Sequence, residues 1–509
     1  MSLEQLLKTK TAFTSFKSGQ KEIIEDVLAN KDVIALLPTG GGKSLCYQLP
    51  AYLLEGVVLI VSPLLSLMED QVQQLKASGE KSVIALNSFL SFSEKERLLS
   101  LDLQSFKFIF ISPEMLQVEK WVRKLQTLQI ALFVVDEAHC VSQWGHDFRT
   151  DYLKLGRVKE SLGAPTSLAL TATATMTVIQ DIQSFLDMTS PALHINSVDR
   201  PNIAINVEHL TNNKEKKERV LELVKTLRGP GIVYFSSRSK AEEVCHHLQE
   251  NGVTRVAYYH AGLSQELRIL IQQQYLMGQL DIICCTSAFG MGINKSNVRF
   301  VIHYHQPTQM ESYVQEIGRA GRGGDKSIAI LLKSMEDTML PEFIIENELP
   351  DSEWVSYIVH ELVAAYREIS DIFSIPIKEW VEKAPEMESH WRYLSYQVDQ
   401  FIQVTGKLSN ATINPCIEAI QTHIKERTSA KRRKLDEFNQ WTSDRKCRRE
   451  GVLRYFNEEL LTAPVPCCDV CGLSMEGFEV KGEGMYEEEE ATLSWQLLLK
   501  NIFWQEVEK

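Results

Sequence analysis

The sequence predicts an α/β protein of two tandem parallel-sheet lobes, followed by a mainly helical C-terminal region with a small cysteine-rich element. Three observations predict it. Short β-branched runs recur, each followed by a loop and a helical pattern, which is the rhythm of a parallel sheet with crossover helices. The runs fall into two series, of which only the first carries a glycine-rich strand-to-helix loop. Past Pro341 the period becomes helical, and four of the ten cysteines cluster near the end.

The first series comprises residues 33–37, 57–61, 108–111, 132–135 and 167–170. The second comprises 232–235, 256–259, 281–285, 299–303 and 327–332. These place the lobes at 1–205 and 206–340, joined near Asp199-Arg200-Pro201-Asn202. A helix-rich insert is expected over 341–430, the cysteine element over 431–475, and an acidic tail with a terminal helix over 476–509. A chain of 509 residues accommodates several such domains.

Composition excludes classes rather than choosing one. With 44% hydrophobic and 24% charged residues, the chain has neither a fibrous nor a disordered bias. The net charge of −13 excludes a wholly basic nucleic-acid coat but not a local groove. Charge is segregated: residues 425–449 hold ten Lys/Arg against four Asp/Glu, and the tail after Cys471 holds nine Asp/Glu against three Lys. The N-terminus has no basic-then-apolar leader, and no apolar run approaches the roughly 20 residues that cross a bilayer, so a cytoplasmic protein without membrane contact is expected. Six cysteines scattered through residues 46–416 read as buried thiols of a reducing compartment.

Thr39-Gly40-Gly41-Gly42-Lys43-Ser44 follows the first run and precedes a helical pattern. Glycines let backbone N–H groups turn toward phosphates, Lys43 neutralises β/γ oxygens, and Ser44 reaches Mg²⁺. The apolar run 132–135 leads into Asp136-Glu137-Ala138-His139, mounting two carboxylates on a buried strand end. Asp136 would hold Mg²⁺ and Glu137 would polarise the attacking water, the two roles of phosphoryl transfer to water. Gly318-Arg319-Ala320-Gly321-Arg322 supplies two arginines from a lobe that has no phosphate loop of its own, which makes them candidate fingers toward an ATP held by the first lobe.

With these motifs in place, the sequence resembles the superfamily 2 helicases, and within them the RecQ group, over about residues 10–335 and again near 431–471. The resemblance implies two RecA-like lobes and an ATP-dependent 3′-to-5′ DNA helicase of recombination, repair or fork processing. Its cofactors would be ATP, Mg²⁺ and Zn²⁺, and its substrates single-stranded or 3′-tailed DNA. Phe16-Lys17-Ser18-Gly19-Gln20 looks like the adenine-reading segment, with Gln20 on the base and Lys17 over it. Ser62-Pro63-Leu64, Ser112-Pro113-Glu114, the run from Leu170 to Thr175, Ser236 and Arg238 match motifs that grip DNA and couple the lobes, and Thr286 is grouped with them. Ser142-Gln143-Trp144-Gly145-His146-Asp147-Phe148-Arg149 is similar to the group's aromatic-rich loop, in which Trp144 and Phe148 would stack bases while Gln143, His146 and Arg149 link them to the ATP site. The stretch from Ala288 to Lys295 matches almost literally.

The cysteine cluster resembles the group's zinc element, with Cys447 on a basic helix and Cys468 and Cys471 in a loop at two-residue spacing. The group's spacing would put a further cysteine at residue 465, where this chain has Val465, leaving Cys467 as the fourth candidate. Val314 and Gly323 also stand where the group commonly has aromatic and acidic residues. Fewer than 40 residues follow Cys471, so a short form without winged-helix and HRDC domains is expected. A monomer is expected, with the acidic tail as a candidate surface for a protein partner. Two rival readings stay open: an ATP-switched DNA clamp without processive unwinding, and an RNA helicase, against which the Trp144 loop argues.

Overall fold

The computed structural model describes residues 2–480 except 12, 88–89, 143–148, 290–294, 338 and 373–386. The first lobe is built on β1 (Val33–Leu36), β2 (Val57–Val61), β3 (Val83–Leu86), β4 (Phe108–Ile111), β5 (Ile130–Val135), β6 (Ser167–Thr171) and β7 (Ala192–Ile195). All pair in parallel, in the order β3-β4-β2-β5-β6-β1-β7. Helices cover both faces, so the strands read as continuous apolar runs. In β2, Val57, Leu59 and Val61 enter one core while Val58 and Ile60 enter the other. Each such fully buried side chain stabilises the sheet by roughly 1.5–3 kcal/mol.

The second lobe comprises β8 (Ile203–Leu210), β9 (Gly231–Tyr234), β10 (Val256–Tyr259), β11 (Ile282–Cys285), β12 (Phe300–His303) and β13 (Ser327–Ser334). They are also parallel, in the order β10-β11-β9-β12-β13-β8. Three strands were not anticipated. β3 and β7 are four-residue strands at the two edges of their sheet, β3 repeating the Val-Ile-Ala-Leu run of β1, and β8 mixes polar with apolar residues. The division expected at 205/206 falls inside β8. This strand pairs along its whole length with β13, so the second lobe starts at Ile203 and the joint is the preceding linker.

Helices Met339–Glu348, Ser352–Tyr366, Glu388–Thr405 and Ile413–Ser443 form the helical region, whose own core includes Val359, Leu362, Trp391, Leu394, Val398 and Ile420. The last helix runs through residue 430 without interruption, so the division expected there falls inside a continuous rod. Its early apolar positions, Ile413, Cys416, Ile417 and Ile420, follow the i, i+3, i+4, i+7 stripe into the helical core. Its later ones, Phe438 and Trp441, join the cluster shared by both lobes and the cysteine element. Cys46, Cys140, Cys245, Cys284, Cys285 and Cys416 are all buried and unbridged, as the thiol reading anticipates.

The fully buried Lys216 is held by Asp337, its Nζ donating to both carboxylate oxygens at 2.8 and 2.7 Å, and lies 4.5 Å from the Tyr304 ring centre. Removing one partner of such a pair strands a charge at a cost of about 3–5 kcal/mol. Asp337→Ala is therefore expected to lower the urea midpoint of the second lobe by that equivalent, whereas a loss under about 1 kcal/mol would mean that the ammonium finds water.

Candidate nucleotide site at the lobe interface

Between β1 and the helix Leu45–Ala51 the chain turns through Gly40 (φ 83°) and Gly42 (φ 78°), conformations that only glycine adopts without strain. Space demands them as well. A Cβ on Gly42 would lie 2.4 Å from Gln20 Nε2, and one on Gly40 would lie 3.2 Å from Arg322 Cγ. Gln20 Nε2 donates to the carbonyls of Gly41 (3.0 Å) and Gly42 (3.1 Å), its Oε1 accepts from the Lys17 N–H (2.8 Å), and Lys17 Nζ donates to the Gly40 carbonyl (2.8 Å). The two residues expected to read a base thus hold the loop's outward carbonyls. Phe16 packs on the core around Leu6, Leu7 and Leu45. Beside the loop a cavity of about 310 Å³ is walled by Phe13, Lys17, Gln20, Leu49 and Tyr52, a size and chemistry suited to a base.

β5 delivers Asp136 and Glu137 to the same edge of the sheet. Glu137 sits at φ 49°, a left-handed conformation that costs a non-glycine residue on the order of 1 kcal/mol and aims its carboxylate back at the loop. Its Oε1 lies 3.1 Å from Lys43 Nζ. Its buried Oε2 has no hydrogen-bond partner among the described residues and lies 3.5 Å from His139 Nδ1, which is itself 3.0 Å from Thr171 Oγ1. Burial pushes the Asp136 carboxyl up to about 6; nearby Lys43 opposes this shift and Glu137 adds to it. A buried carboxyl raised in this way, beside a carboxylate oxygen without a partner among the described residues, fits a divalent cation and a water, which Ser44 and Asp136 would be placed to hold.

The second lobe closes the site. A Cβ on Gly318 would lie 2.9 Å from Thr39 Cβ, so the lobes touch at the phosphate loop itself. Arg200, in the linker, donates from Nη1 to the carbonyls of Thr39 (2.6 Å) and Gly318 (2.9 Å), and from Nη2 to those of Ala320 (3.2 Å) and Gly321 (2.7 Å). Arg319 is buried here, and Arg322 is pushed down to about 9 by burial and by the charges of Arg319 and Arg200. Lys17 is lowered by burial and by Arg200 and Arg322. Cations crowded until their charged forms are disfavoured mark a place for an anion of high charge. Behind them, His303 Nε2 meets Glu316 Oε2 at 2.8 Å, and Val314, noted from the sequence as a departure from the group's common aromatic residue, packs in the core.

Of the residues expected to contact DNA, Gln143, Trp144, His146 and Phe148 lie outside the described residues. Arg149 donates to the Pro63 carbonyl at 2.8 Å. It lines a cleft of about 310 Å³ between the lobes with Leu64, Ser112, Tyr259 and Arg268. The hydroxyls of Ser62, Ser112 and Thr173, all just past strand ends, are buried without partners among the described residues. Ser236 and Arg238 are exposed beyond β9, the Ser236 N–H donating to His305 Nδ1 (3.1 Å), and Thr286 follows β11.

The sulfurs of Cys447, Cys467, Cys468 and Cys471 all lie within 4.8 Å of one another, with separations of 3.6 Å (447–467), 3.9 Å (447–468) and 3.5 Å (468–471). Four thiolates about 2.3 Å from one tetrahedral ion stand at such separations, so the donor set fits zinc. Cys467 fills the place left by Val465, which is 91% exposed.

Family models match at three places: "DEAD/DEAH box helicase" over residues 17–182, "Helicase conserved C-terminal domain" over 215–324 and "RecQ zinc-binding" over 409–472. The chain is 45% identical over 490 residues to a probable ATP-dependent DNA helicase RecS of Bacillus subtilis, covering 94% of each chain. The chain belongs to the RecQ helicase family. It is also 41% identical to the ATP-dependent DNA helicase RecQ of Pasteurella multocida over 64% of its own length, spanning about half (51%) of that relative. Solved structures sharing the fold include the helicase MrfA bound to DNA and AMPPNP (TM-score 0.55, 19% identity, 68% of this chain and 51% of that one) and the DEAD-box helicase Mss116 bound to single-stranded RNA (0.55, 16%, 82% and 95%).

Sequence reasoning missed Arg200 as a site residue, noting it only as part of a joint. A polar linker residue shows its partners only once both lobes are in place.

If Asp136 holds the cation, metal must displace its proton, since the carboxyl is raised to about 6 and the charged form is lost as pH falls through that value. The Mg²⁺ concentration giving half-maximal ATPase is therefore expected to rise by about tenfold per pH unit below 6 and to level off above 7. A Mg²⁺ requirement that stays flat from pH 7.5 to 5.5 would place the cation elsewhere.

Proposed function

We propose that this RecQ-family chain is an ATP-driven motor that moves 3′ to 5′ along one DNA strand and separates duplexes carrying a 3′ tail, in recombination, repair or fork processing. The observation that carries the reading is the seam at which the phosphate loop of one lobe meets the arginine segment of the other. ATP bound there would rest its phosphates on Lys43 and the N–H groups of the loop from Thr39 to Ser44. Mg²⁺ held by Ser44 and Asp136 supplies charge neutralisation at the β/γ oxygens. Glu137 orients the attacking water, and Arg319 and Arg322 stabilise charge developing on the transferred group, a contribution of about 10³–10⁵ in rate where such fingers operate.

Coupling follows from electrostatics. Lys17, Arg319 and Arg322 share one anion while the triphosphate is present, and losing its terminal group restores their mutual repulsion and loosens the seam. Arg149, Ser236, Arg238 and Thr286, with the unpartnered hydroxyls of Ser62, Ser112 and Thr173, support a phosphate-gripping path between the lobes. Gln143, Trp144, His146 and Phe148 are assigned to base stacking and coupling on the family resemblance. A cytoplasmic monomer is the working form, with the acidic tail as the site for a protein partner.

Duplexes with a 3′ tail are expected to be unwound and those with a 5′ tail to stay intact, while Lys43→Ala lowers DNA-stimulated ATPase on the order of 10²-fold or more and stops both. Equal unwinding of the two substrates would sink the polarity, and ATPase without strand separation would favour a clamp. The cysteine element is assigned one structural Zn²⁺ held by Cys447, Cys467, Cys468 and Cys471. Elemental analysis should find one zinc per chain, and Cys467→Ser should weaken retention against a chelator by about 10-fold or more; retention equal to the unaltered chain would remove Cys467 from the ligand set.

A further inference from the structure

Arg200 belongs to neither lobe, yet its guanidinium is bound to both. Its four carbonyl partners are Thr39 in the phosphate loop and Gly318, Ala320 and Gly321 in the segment carrying Arg319 and Arg322. The last three follow the helix Met310–Ile317, where unpaired carbonyls and the negative end of the helix favour a cation. A planar five-donor fork can span the two sets, whereas an ammonium reaches a single point. Asn202 reinforces the grip by donating to the Gly321 (2.8 Å) and Asp325 (2.9 Å) carbonyls.

The backbone carrying Arg200 is held from outside the lobes. Arg449, buried at the start of the helix Arg448–Tyr455, donates to the Asp199 carboxylate, to the Arg200 carbonyl (3.1 Å) and to the Ile203 carbonyl. Glu458 accepts the Val198 N–H at 3.0 Å and also binds Ser197 Oγ. The Cys467 carbonyl accepts the Ile205 N–H at 3.1 Å. Cysteine element, linker and phosphate loop are thus one hydrogen-bonded chain.

We propose that Arg200 is a positioning residue for ATP hydrolysis, setting Arg319 and Arg322 against the phosphate loop, and that the cysteine element fixes Arg200 through Arg449. The inference rests on reading the seam as an ATP-hydrolysing cleft. Because Arg200 touches one carbonyl of the phosphate loop and three of the arginine segment, its loss disturbs the arginines more than the binding of ATP.

The test is steady-state ATPase of the full chain at saturating single-stranded DNA, with DNA affinity measured alongside. R200A is expected to lower kcat by about 10- to 100-fold, the scale of an ångström-sized misplacement. The KM for ATP should stay within about threefold, since only transition-state contacts are lost. DNA affinity should hold, and R200K should recover only part of the rate. R449A should lower kcat by about 3- to 10-fold, and R200A/R449A should be no slower than R200A, as expected for residues acting in series. Melting temperatures within about 3 °C of the unaltered chain qualify the alanine variants; otherwise R200K and R449K are compared in the same way. A kcat within twofold in R200A or R200K, a joint fall of kcat and DNA affinity, or multiplicative losses in the double variant would overturn the proposal. Lys43→Ala judges the cleft independently: if it leaves hydrolysis intact, the reading of the seam fails first.

Discussion

Positive charge crowded at the seam between the lobes is the constraint on which the rest of the structure depends. Lys17, Arg200, Arg319 and Arg322 converge on a glycine loop that already carries Lys43, which is paired with Glu137. A protein interior tolerates this only if carbonyl oxygens or an arriving anion share the charge. Arg200 uses four carbonyls, and Lys17 and Gln20 use three more from the loop. A site of this kind is preorganised for highly charged substrate and strained without it.

The cysteine element and the long helix Ile413–Ser443 belong to the same device. Phe438 and Trp441 pack against Tyr313, with ring centres 5.6 and 5.1 Å apart, on the helix that leads to the arginines. Lys434 pairs with Glu311 on that helix at 2.6 Å. Arg448 ties Trp441 and Asp444 to Asp469 beside the sulfurs. A metal closing the four thiols would therefore stiffen the backing of the second lobe as well as a local loop, because one hydrophobic cluster continues from the first lobe through both.

Much of this was legible beforehand. Buried parallel strands advertise themselves as apolar runs, and a glycine loop between strand and helix has few structural uses other than phosphate binding, so the two lobes, Lys43, Asp136, Glu137 and the arginine pair could be read from residue order. β7 and β8 could not, since a short edge strand and a mixed pattern draw their stability from neighbours rather than from their own composition; β3, with the same Val-Ile-Ala-Leu run as β1, was as legible as its neighbours. Cys467 was ambiguous for a similar reason. Spacing along the chain counts residues, whereas chelation depends on where backbone turns place sulfurs.

Residue types and their order alone determined the fold class, the phosphate loop, the paired carboxylates and the presence of a four-cysteine cluster, because each depends on local backbone geometry or on period. Only the tertiary structure decided that Gln20 and Lys17 brace the loop, that Phe16 is core, that the second lobe begins at Ile203, and that a linker arginine joins both lobes to the cysteine element. The hydrogen bonds among them join residues from 21 to 249 positions apart. No local pattern encodes them, since each partner is chosen by where packing of the whole chain leaves an unpaired carbonyl or an unfilled space.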